Sequence, residues 1–379
     1  MTAETDLKKD YFYLKERIGF CLGRLFSCPV VAPEHVYFSL TSRCNLRCAM
    51  CDISKNPSSA ADELSTAKVK DIILQIKKMG IRHIIFSGGE PLLREDLIEV
   101  VQFAISIGIE MADIITNGTL FNDRLIEKLI KIRTNHITFS LDGLKDTNDY
   151  IRERGVFEKS EDNIDKFNYY KNKYSAPFPT IGINFTIMNR NINDILPMIE
   201  FARNKKCNIV LFQPILFNNT KMYEKKRNIL WLAQKDIVRL GSILSKVVDL
   251  KENLRDICIC TSRDVLRAIP YYFQGERLPT AFGCYEAIKR IVISSDGKLW
   301  SCMGIYGDLN KNDLQRCWFS KEAMKVRWKT RKCKEHCLQD CTYSPSNILK
   351  DLSGLLVKWG RMQIRELKRK GRGCRKGID

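Results

Sequence analysis

The sequence has no uninterrupted run of about 18 apolar residues, so we expect no membrane-spanning helix. It also lacks the pattern of an export signal. Segment 1–9 mixes acids with bases, and Arg24 interrupts the apolar run from Ile18 to Val31. Internal repeats and low-complexity tracts are missing as well. These absences favour a globular protein of the cytoplasm.

Acidic residues are few compared with basic ones. The chain has 44 Asp and Glu against 63 Lys and Arg, which gives a net charge of +19. Such a charge favours anionic partners such as phosphates, nucleotides, nucleic acid or an acidic membrane. A solvated basic surface with no single target is the alternative. Hydrophobic residues make up 44% of the 379 residues, so the chain can bury one large domain and a smaller one.

Cysteine is abundant, with 15 residues. In a small exported protein this number would suggest disulfides, but in a long chain from a reducing compartment clustered cysteines are more typical of metal ligands. Two groups stand out. The first is Cys44, Cys48 and Cys51; the second is Cys284, Cys302, Cys333, Cys337 and Cys341.

Short apolar strands alternate with helices as far as residue 216. The pattern predicts strands at 35–40, 83–87, 111–116, 136–141, 180–187 and 208–215, and helices near 65–80, 95–107, 122–132, 161–170 and 192–203. This alternation predicts a parallel sheet with right-handed crossovers. Six such units are fewer than a closed barrel needs, so we expect either an open sheet or an incomplete barrel. Chemistry belongs at the carboxyl ends of the strands, where the first cysteine group follows the first strand.

The remaining segments differ in character. An amphipathic helix is predicted at 8–27, and a charged, mostly helical bridge follows the last strand. The cysteine-rich part contains a hairpin at 290–302 with Asp296-Gly297 as its turn. The predicted divisions are an N-terminal extension (1–33), a core (34–218), a bridge (219–283), a small cysteine-rich domain (284–345) and a basic tail (346–379).

Three cysteines are an unusual number for a metal site. Structural zinc and a closed four-iron cluster each use four protein ligands. Three thiolates on a four-iron cluster leave one iron open to an outside ligand, which is typical of a reactive site. A zinc site or a disulfide is the alternative for Cys44, Cys48 and Cys51.

These residues resemble a known family. The spacing Cys44-x3-Cys48-x2-Cys51 is similar to the signature loop of the radical S-adenosylmethionine (radical SAM) superfamily. "FSGGEP" (86–91) resembles its Gly-Gly-Glu-Pro motif, and "SLDG" (140–143) resembles its usual fourth-strand end. The resemblance covers roughly residues 34 to 216. It implies a partial (β/α)6 TIM-like barrel in an α/β fold.

The resemblance also implies a reaction. A [4Fe-4S] cluster with one open iron would bind S-adenosyl-L-methionine, and one electron from the reduced cluster would cleave it to methionine and a 5′-deoxyadenosyl radical. That radical would take hydrogen from a substrate. An external one-electron donor such as ferredoxin or flavodoxin would supply the electron. The enzyme would then be an oxidoreductase.

The contacts with S-adenosylmethionine are implied residue by residue. Gly88, Gly89 and Glu90 would meet its amino group, with an ordinary strand-end turn as the alternative. Arg152 would hold its carboxylate. Arg154 is the alternative candidate for this contact, and Arg152 would then be a solvated surface arginine. Ser140 and Asn191 would lie at the ribose; alternatively Ser140 is a loop residue and Asn191 a helix cap.

The second cysteine group looks like the Twitch domain, the shorter relative of SPASM. The resemblance implies a small α+β domain that binds an auxiliary [4Fe-4S] cluster through Cys284, Cys302, Cys333 and Cys337. Cys341 could replace either of the last two. A structural zinc knot made by the same residues is the alternative.

The expected function is therefore that of a radical SAM enzyme whose substrate the sequence does not identify. The positive charge favours an anionic small molecule, such as a sugar or lipid precursor. A ribosomally made peptide is the alternative within the class. Two other classes stay open, namely a non-catalytic iron–sulfur electron-transfer protein and a zinc-stabilised nucleic-acid binder.

The C-terminal tail is strongly basic. Lys358–Lys376 contains nine Lys or Arg and one acid, Glu366. It is interpreted either as an amphipathic helix that lies on the inner face of an anionic membrane or as a solvated tail. We expect no specific nucleic-acid partner, because no stacking aromatic residues accompany the charge.

Overall fold

The computed structural model describes residues 3–53, 59–216, 230–276, 278, 283–333, 337–338 and 342–343, with side chains for those between 15 and 338. The basic tail 346–379, Cys341 and part of the predicted bridge lie outside the described residues.

The secondary structure alternates as the sequence predicts. The strands are β1 (His35–Thr41), β2 (His83–Gly88), β3 (Met111–Thr116), β4 (His136–Ser140), β5 (Thr180–Ile187), β6 (Ile209–Pro214), β7 (Cys258–Ile259), β8 (Gly283–Cys284), β9 (Arg290–Ile293), β10 (Lys298–Ser301), β11 (Gly304–Asp308) and β12 (Thr342–Tyr343). The helices are α1 (Ala3–Phe26), α2 (Thr66–Lys78), α3 (Leu97–Ser106), α4 (Asp123–Lys131), α5 (Lys145–Arg152), α6 (Val156–Lys173), α7 (Ile195–Asn204), α8 (Gln234–Asn253), α9 (Arg263–Gln274), α10 (Leu314–Trp318) and α11 (Lys321–Arg331).

Local sequence explains where several helices begin and end. The side chain of Ser65 accepts a hydrogen bond from the Lys68 amide at the start of α2, as predicted. Gly80 follows α2 with φ +79°, a conformation that glycine adopts without strain. Asn122 caps α4 in the same way as Ser65 caps α2. Such caps satisfy amides that a helix leaves without a partner.

Ten of the described strands form one sheet in the order β11-β10-β9-β1-β2-β3-β4-β5-β6-β7, and β12 pairs with β8 in a separate two-stranded sheet. β1 to β7 are parallel neighbours in chain order. Sequential parallel strands with right-handed crossovers place their helices on one face of the sheet. Alternate strand residues such as Phe38, Phe86 and Phe139 are fully buried in the main core. The parallel α/β fold with six long strands confirms the expected fold class.

Three features differ from the sequence prediction. α5 was not predicted, and α6 begins at Val156 instead of residue 161. The predicted bridge contains two long helices, α8 and α9, but also the short strand β7 on the edge of the sheet. Propensity misses α5 because its sequence, KDTNDYIR, is almost entirely polar.

The predicted hairpin near the second cysteine group is present and joins the main sheet. β9 and β10 pair antiparallel, with Leu299 opposite Ile293 and the turn at Asp296-Gly297. β9 also pairs in parallel with β1, from His35↔Arg290 to Phe38↔Ile293. The sheet therefore runs through the predicted boundary between core and cysteine-rich domain, and the domain division stays a prediction.

The N-terminal helix α1 packs on the cysteine-rich region. Its Phe20 forms a small buried cluster with Tyr285 and Ile288. Arg24 Nε donates to the Cys284 carbonyl at 3.1 Å. No helix among the described residues is long and apolar enough to cross a membrane.

Candidate cluster and cofactor site

The first cysteine group occupies the loop that follows β1, at the carboxyl end of the parallel strands. Cys48 is buried, and Cys44 and Cys51 are partly buried; none of the three is in a disulfide. The three residues pack around Leu46 and Val156 in one small cluster. The structure thus brings the three thiols together, as the sequence predicts.

The glycine pair of the GGEP motif lies directly against the start of this loop. The Gly89 amide donates to the Thr41 carbonyl at 2.7 Å, and the Glu90 amide donates to the Arg43 carbonyl at 2.8 Å. A Cβ atom on Gly88 would lie 2.1 Å from the Thr41 oxygen, and one on Gly89 would lie 2.1 Å from the Arg43 oxygen. Gly88 also has φ +139°. In this chain the glycines permit close contact with the cysteine loop, a reason that the sequence did not reveal.

The carboxylate of Glu90 connects the ends of β2 and β3. It is fully buried and accepts hydrogen bonds from Thr116 Oγ1 at 2.7 Å, the Asn117 amide at 2.7 Å and the Leu92 amide at 3.1 Å. Burial raises the pKa of Glu90 to about 7, against the lowering effect of these donors. The side chain of Glu90 therefore connects the strand ends. Only its backbone is left for the predicted contact with the amino group of S-adenosylmethionine.

The loop is fixed to β3 through two asparagines. Asn117 Nδ2 donates to Asn45 Oδ1 at 2.9 Å, and Asn45 Nδ2 donates to Thr119 Oγ1 at 3.0 Å. Burial raises the pKa of the Cys44 thiol, and Asn117 acts in the opposite direction. The sequence analysis missed both asparagines, and only the adjacency of Asn45 to Cys44 could have pointed to them.

The end of α5 forms the other side of the loop. The Ala49 amide donates to the Ile151 carbonyl at 2.8 Å, and the Arg47 amide donates to Glu153 Oε1 at 2.5 Å. Glu153 has φ +148°, a strained conformation for a residue with a side chain. The polar helix α5 is thus placed by contacts with the cysteine loop.

Arg152 lies between a carboxylate and a thiol. Its Nη2 is 2.7 Å from Asp142 Oδ2, and its Nη1 donates to Cys48 Sγ at 3.9 Å. Burial would lower the pKa of Arg152, but the charges of Asp142 and Cys48 outweigh it and raise that pKa. Arg152 Nε is buried and has no hydrogen-bond partner. The residue predicted to hold the cosubstrate carboxylate is therefore beside the cysteine loop, with one unused donor.

Asn191 is buried and connects the ends of β4 and β5. Its Nδ2 donates to the Asp142 carbonyl at 2.9 Å and to the Thr186 carbonyl at 2.8 Å, and its Oδ1 accepts from the Met188 amide at 2.8 Å. It does not cap the following helix with its side chain. Ser140 ends β4, is partly exposed and pairs with Asn184 of β5. Of these two predicted ribose contacts, Ser140 has the more accessible side chain.

A comparison with known protein families identifies the domain that contains these residues. The Radical SAM superfamily profile matches residues 38–202, from β1 through α7. These residues are a radical SAM domain. The matched range contains the cysteine loop, the GGEP motif, Arg152 and Asn191. The radical SAM part of the predicted resemblance is thereby confirmed for these residues.

Curated relatives extend the comparison. The chain is 31% identical to the Fe-coproporphyrin III synthase of Methanosarcina barkeri over 183 residues, which are 48% of this chain and 44% of that relative. It is 29% identical to the GTP 3′,8-cyclase of Chlorobaculum tepidum over 300 residues, which are 75% of this chain and 85% of that protein. The chain therefore spans less than half the length of the first relative. Both relatives carry the names of enzymes.

Solved structures show the same fold. SuiB of Streptococcus suis bound to the precursor peptide SuiA matches with a TM-score of 0.61 and 16% sequence identity, over 84% of this chain and 70% of that one. The match extends well beyond residues 38–202. The fold similarity thus continues into the regions that follow the radical SAM domain.

The radical SAM domain implies a [4Fe-4S] cluster and S-adenosylmethionine, and the residues present fit them. Burial raises the pKa of the Cys48 thiol to about 11, while the charge of Arg152 lowers it. Iron binding releases such a thiol proton, and the guanidinium favours the thiolate that remains. No three His, Cys, Asp or Glu side chains of the described part form a group for one metal ion. A four-iron cluster differs from a single metal ion in this respect, because each thiolate binds a different iron and the sulfurs need not surround one point.

The sheet face opposite the helices carries small polar side chains at its carboxyl end. Register pairs place Ser39 beside Ser87, Ser140 beside Asn184 and Thr186 beside Gln213. All six residues are partly exposed, whereas their neighbours along each strand are buried, apart from Gly88, which is also partly exposed. The sequence analysis named Ser140 alone, although the two-residue alternation of each strand could have identified the others. Together they give the radical SAM domain a polar, uncharged inner surface.

The second cysteine group is brought together from separate segments. Cys284 lies on β8, Cys302 follows β10, and Cys333 and Cys337 follow α11. Burial raises the pKa of Cys302 to about 12, and Glu286 and the thiols of Cys284, Cys337 and Cys333 contribute in the same direction. The thiols of Cys284, Cys333 and Cys337 therefore lie close enough to Cys302 to affect its pKa. Cys341 lies outside the described residues, but the next residue, Thr342, pairs with Cys284.

A buried arginine stabilises the helices beside this second group. Arg327 Nε donates to the Ala287 carbonyl at 2.6 Å, and its Nη2 donates to the Trp318 carbonyl at 2.5 Å. Its guanidinium lies 4.4 Å from the centre of the Trp318 ring. Burial lowers the pKa of Arg327 to about 10. Unlike Arg152, this cation is held by carbonyl oxygens and an aromatic ring.

Proposed function

We propose that this protein is a radical SAM enzyme that cleaves S-adenosylmethionine reductively and abstracts hydrogen from an anionic small molecule. One observation carries the proposal. The cysteine loop after β1 is hydrogen-bonded to the GGEP motif after β2 and contacts Arg152 at the end of α5. The residues for iron and for the cosubstrate therefore meet at one end of the sheet.

The roles of this chain's residues follow from their positions. Cys44, Cys48 and Cys51 would hold three irons of a [4Fe-4S] cluster and leave the fourth for S-adenosylmethionine. When bound, these groups supply the electron and the 5′-deoxyadenosyl radical. The backbone of Gly88, Gly89 and Glu90 borders the position for the amino group, and Arg152 Nε supports a contact with the carboxylate. Ser140 would meet the ribose, while Asn191 fixes the strand ends that surround it.

A substrate with negative charge is supported by cations around the carboxyl end of the sheet. Arg47, Arg154 and Arg190 are exposed, and all three lie near the end of α5. Arg190 places its guanidinium 5.0 Å from the ring centre of Tyr150 on that helix. The uncharged inner surface of the sheet would then bind the hydroxyl-rich part of a sugar or lipid precursor. The GTP 3′,8-cyclase relative, which matches three quarters of this chain, carries the name of an anionic substrate.

A peptide substrate is the second candidate. The structural neighbour SuiB is described with a precursor peptide, and its match covers 84% of this chain. The two candidates predict different results for Arg190→Gln. The change should raise the KM for an anionic small molecule about tenfold, because a hydrogen bond to a charged group is worth roughly 1.5–3 kcal/mol. It should leave the KM for a neutral peptide unchanged.

An auxiliary [4Fe-4S] cluster held by Cys284, Cys302, Cys333 and Cys337 belongs to the same proposal. The effect of the Cys284, Cys333 and Cys337 thiols on the pKa of Cys302 supports this ligand set. A cluster at that position would either contact substrate or carry an electron away from a product radical. The electron for the first cluster would come from a donor such as ferredoxin or flavodoxin, and the net charge of +19 favours an acidic donor. The proposed location is the cytoplasm, with peripheral contact to the inner membrane face.

The test is an anaerobic assay. The full chain is reconstituted with iron and sulfide, then mixed with S-adenosylmethionine and dithionite, and 5′-deoxyadenosine is measured by mass spectrometry. The native protein should form it slowly, and candidate substrates should accelerate its formation. The variant Cys44→Ala/Cys48→Ala/Cys51→Ala should form none.

Cys258 and Cys260 offer the matched control, because both are exposed; Cys258 lies on β7 at the edge of the sheet, and Cys260 follows that strand. Cys258→Ala/Cys260→Ala should keep full activity. Absence of 5′-deoxyadenosine from a native protein that holds about four or eight irons would favour the electron-transfer alternative. Zinc in place of iron and sulfide would favour the nucleic-acid-binding alternative.

A further inference from the structure

One side of α1 exposes large apolar residues near its end. Leu22 and Leu25 are exposed, and Phe26 retains 66% of its accessible surface. Ile18 lies one turn earlier on the same side and is also exposed. The opposite side of the helix buries Phe20 against Tyr285 and Ile288. The exposed stripe therefore belongs to a helix that is packed, not to a frayed end.

A second apolar stripe lies on and beside helix α11, between Cys302 and Cys333 of the second cysteine group. Met324 and Trp328 are one turn apart on α11 and each exposes 51% of its surface. Phe319, just before that helix, is exposed as well. Lys332 Nζ lies 3.6 Å from the centre of the Trp328 ring. This stripe combines aromatic surface with a positive charge.

The two stripes adjoin. Arg331 Nη1 at the end of α11 donates to the Leu25 carbonyl at 2.5 Å, and Arg24 Nη2 donates to the Arg331 carbonyl at 3.3 Å. Val30 and Phe319 line one surface cavity of about 330 Å³. We call the combined surface the basic–apolar face; it consists of Ile18, Leu22, Leu25 and Phe26 with Phe319, Met324 and Trp328.

The charges beside this face are almost all positive. Between Gln315 and Lys332 the exposed charged residues include one acid, Glu322. The exposed cations of the same segment are Arg316, Lys321, Lys325, Lys329, Arg331 and Lys332. Large exposed apolar side chains framed by cations are typical of surfaces that lie on anionic lipid. Tryptophan in particular favours the boundary between water and lipid.

We propose that the basic–apolar face docks on an anionic lipid surface. Apolar side chains would enter the headgroup region while the six cations attract the anionic lipids. The charge argues against coverage by Lys358–Lys376, because that segment carries nine cations and would be repelled. Repulsion likewise argues against a second copy of this face. The contact does not depend on the proposed reaction.

The test is sedimentation of the full reconstituted chain with vesicles. Vesicles of phosphatidylcholine with about 30% phosphatidylglycerol should bind the protein, and binding should weaken as salt is added. Vesicles of phosphatidylcholine alone should bind it at least tenfold more weakly. Equal binding to both would overturn the proposal, since the cations would then have no role.

Substitutions separate the face from other surfaces. Met324→Glu/Trp328→Glu should weaken vesicle binding at least tenfold, whereas the control Tyr169→Glu/Val238→Glu, at exposed positions of α6 and α8, should not change it. A milder variant, Lys325→Gln/Lys329→Gln, should lose roughly fivefold in affinity for each cation. Iron content and formation of 5′-deoxyadenosine should stay at native values in all of them, which shows that the variants fold and keeps this test separate from that of the reaction.

Two outcomes would overturn the proposal. Native-like vesicle binding by Met324→Glu/Trp328→Glu, together with loss of binding in Lys368→Gln/Arg369→Gln/Lys370→Gln, would assign attachment to the tail alone. Tight binding of duplex RNA that excludes vesicles, and that Met324→Glu/Trp328→Glu weakens, would assign the face to nucleic acid.

Discussion

The two cysteine groups of this molecule are held in different ways. Cys44, Cys48 and Cys51 lie within eight consecutive residues, and the backbone of that loop is bonded to the ends of β2, β3 and α5. Cys284, Cys302, Cys333 and Cys337 come from segments that are far apart in the chain. The first group depends on local spacing and a rigid surrounding; the second depends on the packing of β8, β10 and α11.

The largest expected difference between the groups is in activity. Cys284→Ala/Cys302→Ala should lower the iron content by about four per chain and still allow slow 5′-deoxyadenosine formation, because the first loop does not contact these residues. Removal of the first three cysteines abolishes that formation. Iron analysis and mass spectrometry on the same samples check this. Complete loss of 5′-deoxyadenosine in Cys284→Ala/Cys302→Ala would show that the two groups act as one unit.

The second largest expected difference is in the free energy of unfolding, between substitutions of the two buried arginines. Arg152→Met leaves the buried carboxylate of Asp142 without its cation, which costs about 3–5 kcal/mol. Arg327→Met leaves the Ala287 and Trp318 carbonyls without a donor, and the expected cost is about 1–3 kcal/mol. Anaerobic denaturant unfolding measures both. The double variant Asp142→Asn/Arg152→Met should recover part of the loss; no recovery would mean that the ion pair is not its source.

The third comparison is between alanine substitutions at two glycines with positive φ, of which only one would bring a Cβ atom into collision with the backbone. Gly88 has φ +139°, and its Cβ would meet the Thr41 oxygen at 2.1 Å; Gly304 has φ +116° with nothing within 4 Å of its Cβ position. Gly88→Ala should cost about 3 kcal/mol and displace the cysteine loop, whereas Gly304→Ala should cost about 1 kcal/mol through strain alone. Thermal unfolding and iron content report the two effects. Equal losses would show that the contact with Thr41 relaxes freely.

The smallest expected effect concerns pH. Burial raises the pKa of Glu90 from 4.5 to about 7. A carboxyl group whose pKa is raised by folding stabilises the native state at low pH, and this contribution is lost as pH rises through the folded value. Between pH 6 and pH 8 the native protein should lose about 1 kcal/mol relative to Glu90→Gln. Unfolding midpoints of the two proteins at both pH values measure it, and a constant difference would mean that Glu90 is already ionised at pH 6.

Sequence alone predicts much of the first site because its signals are local. The spacing of the three cysteines, the GGEP motif and the six strands each occupy a few consecutive residues. The neighbours of Arg152 could not be derived in that way, since α5 has no apolar periodicity and its end is fixed by Ile151, Glu153 and Asp142 contacts. The side-chain amide of Asn191 connects the ends of β4 and β5. Its role could not be predicted without knowing where those two strands end.

The second site was less accessible to sequence reasoning. The hairpin itself follows from Asp296-Gly297, but its parallel pairing with β1 is a long-range choice that no local pattern encodes. The same holds for the meeting of Cys302 with Cys333, which depends on how α11 packs. Cys341 stays a predicted alternative ligand.

The parallel pairing of β1 with β9 has a consequence for any shortened form of this protein. β9 satisfies backbone groups from His35 to Phe38 on the side of β1 that β2 does not use. A chain cut before residue 283 would keep its cysteine loop but turn β1 into a bare, hydrophobic edge strand. Such edges recruit other chains and aggregate. The cysteine-rich region is thus also a solubility element for the catalytic half, whatever it binds.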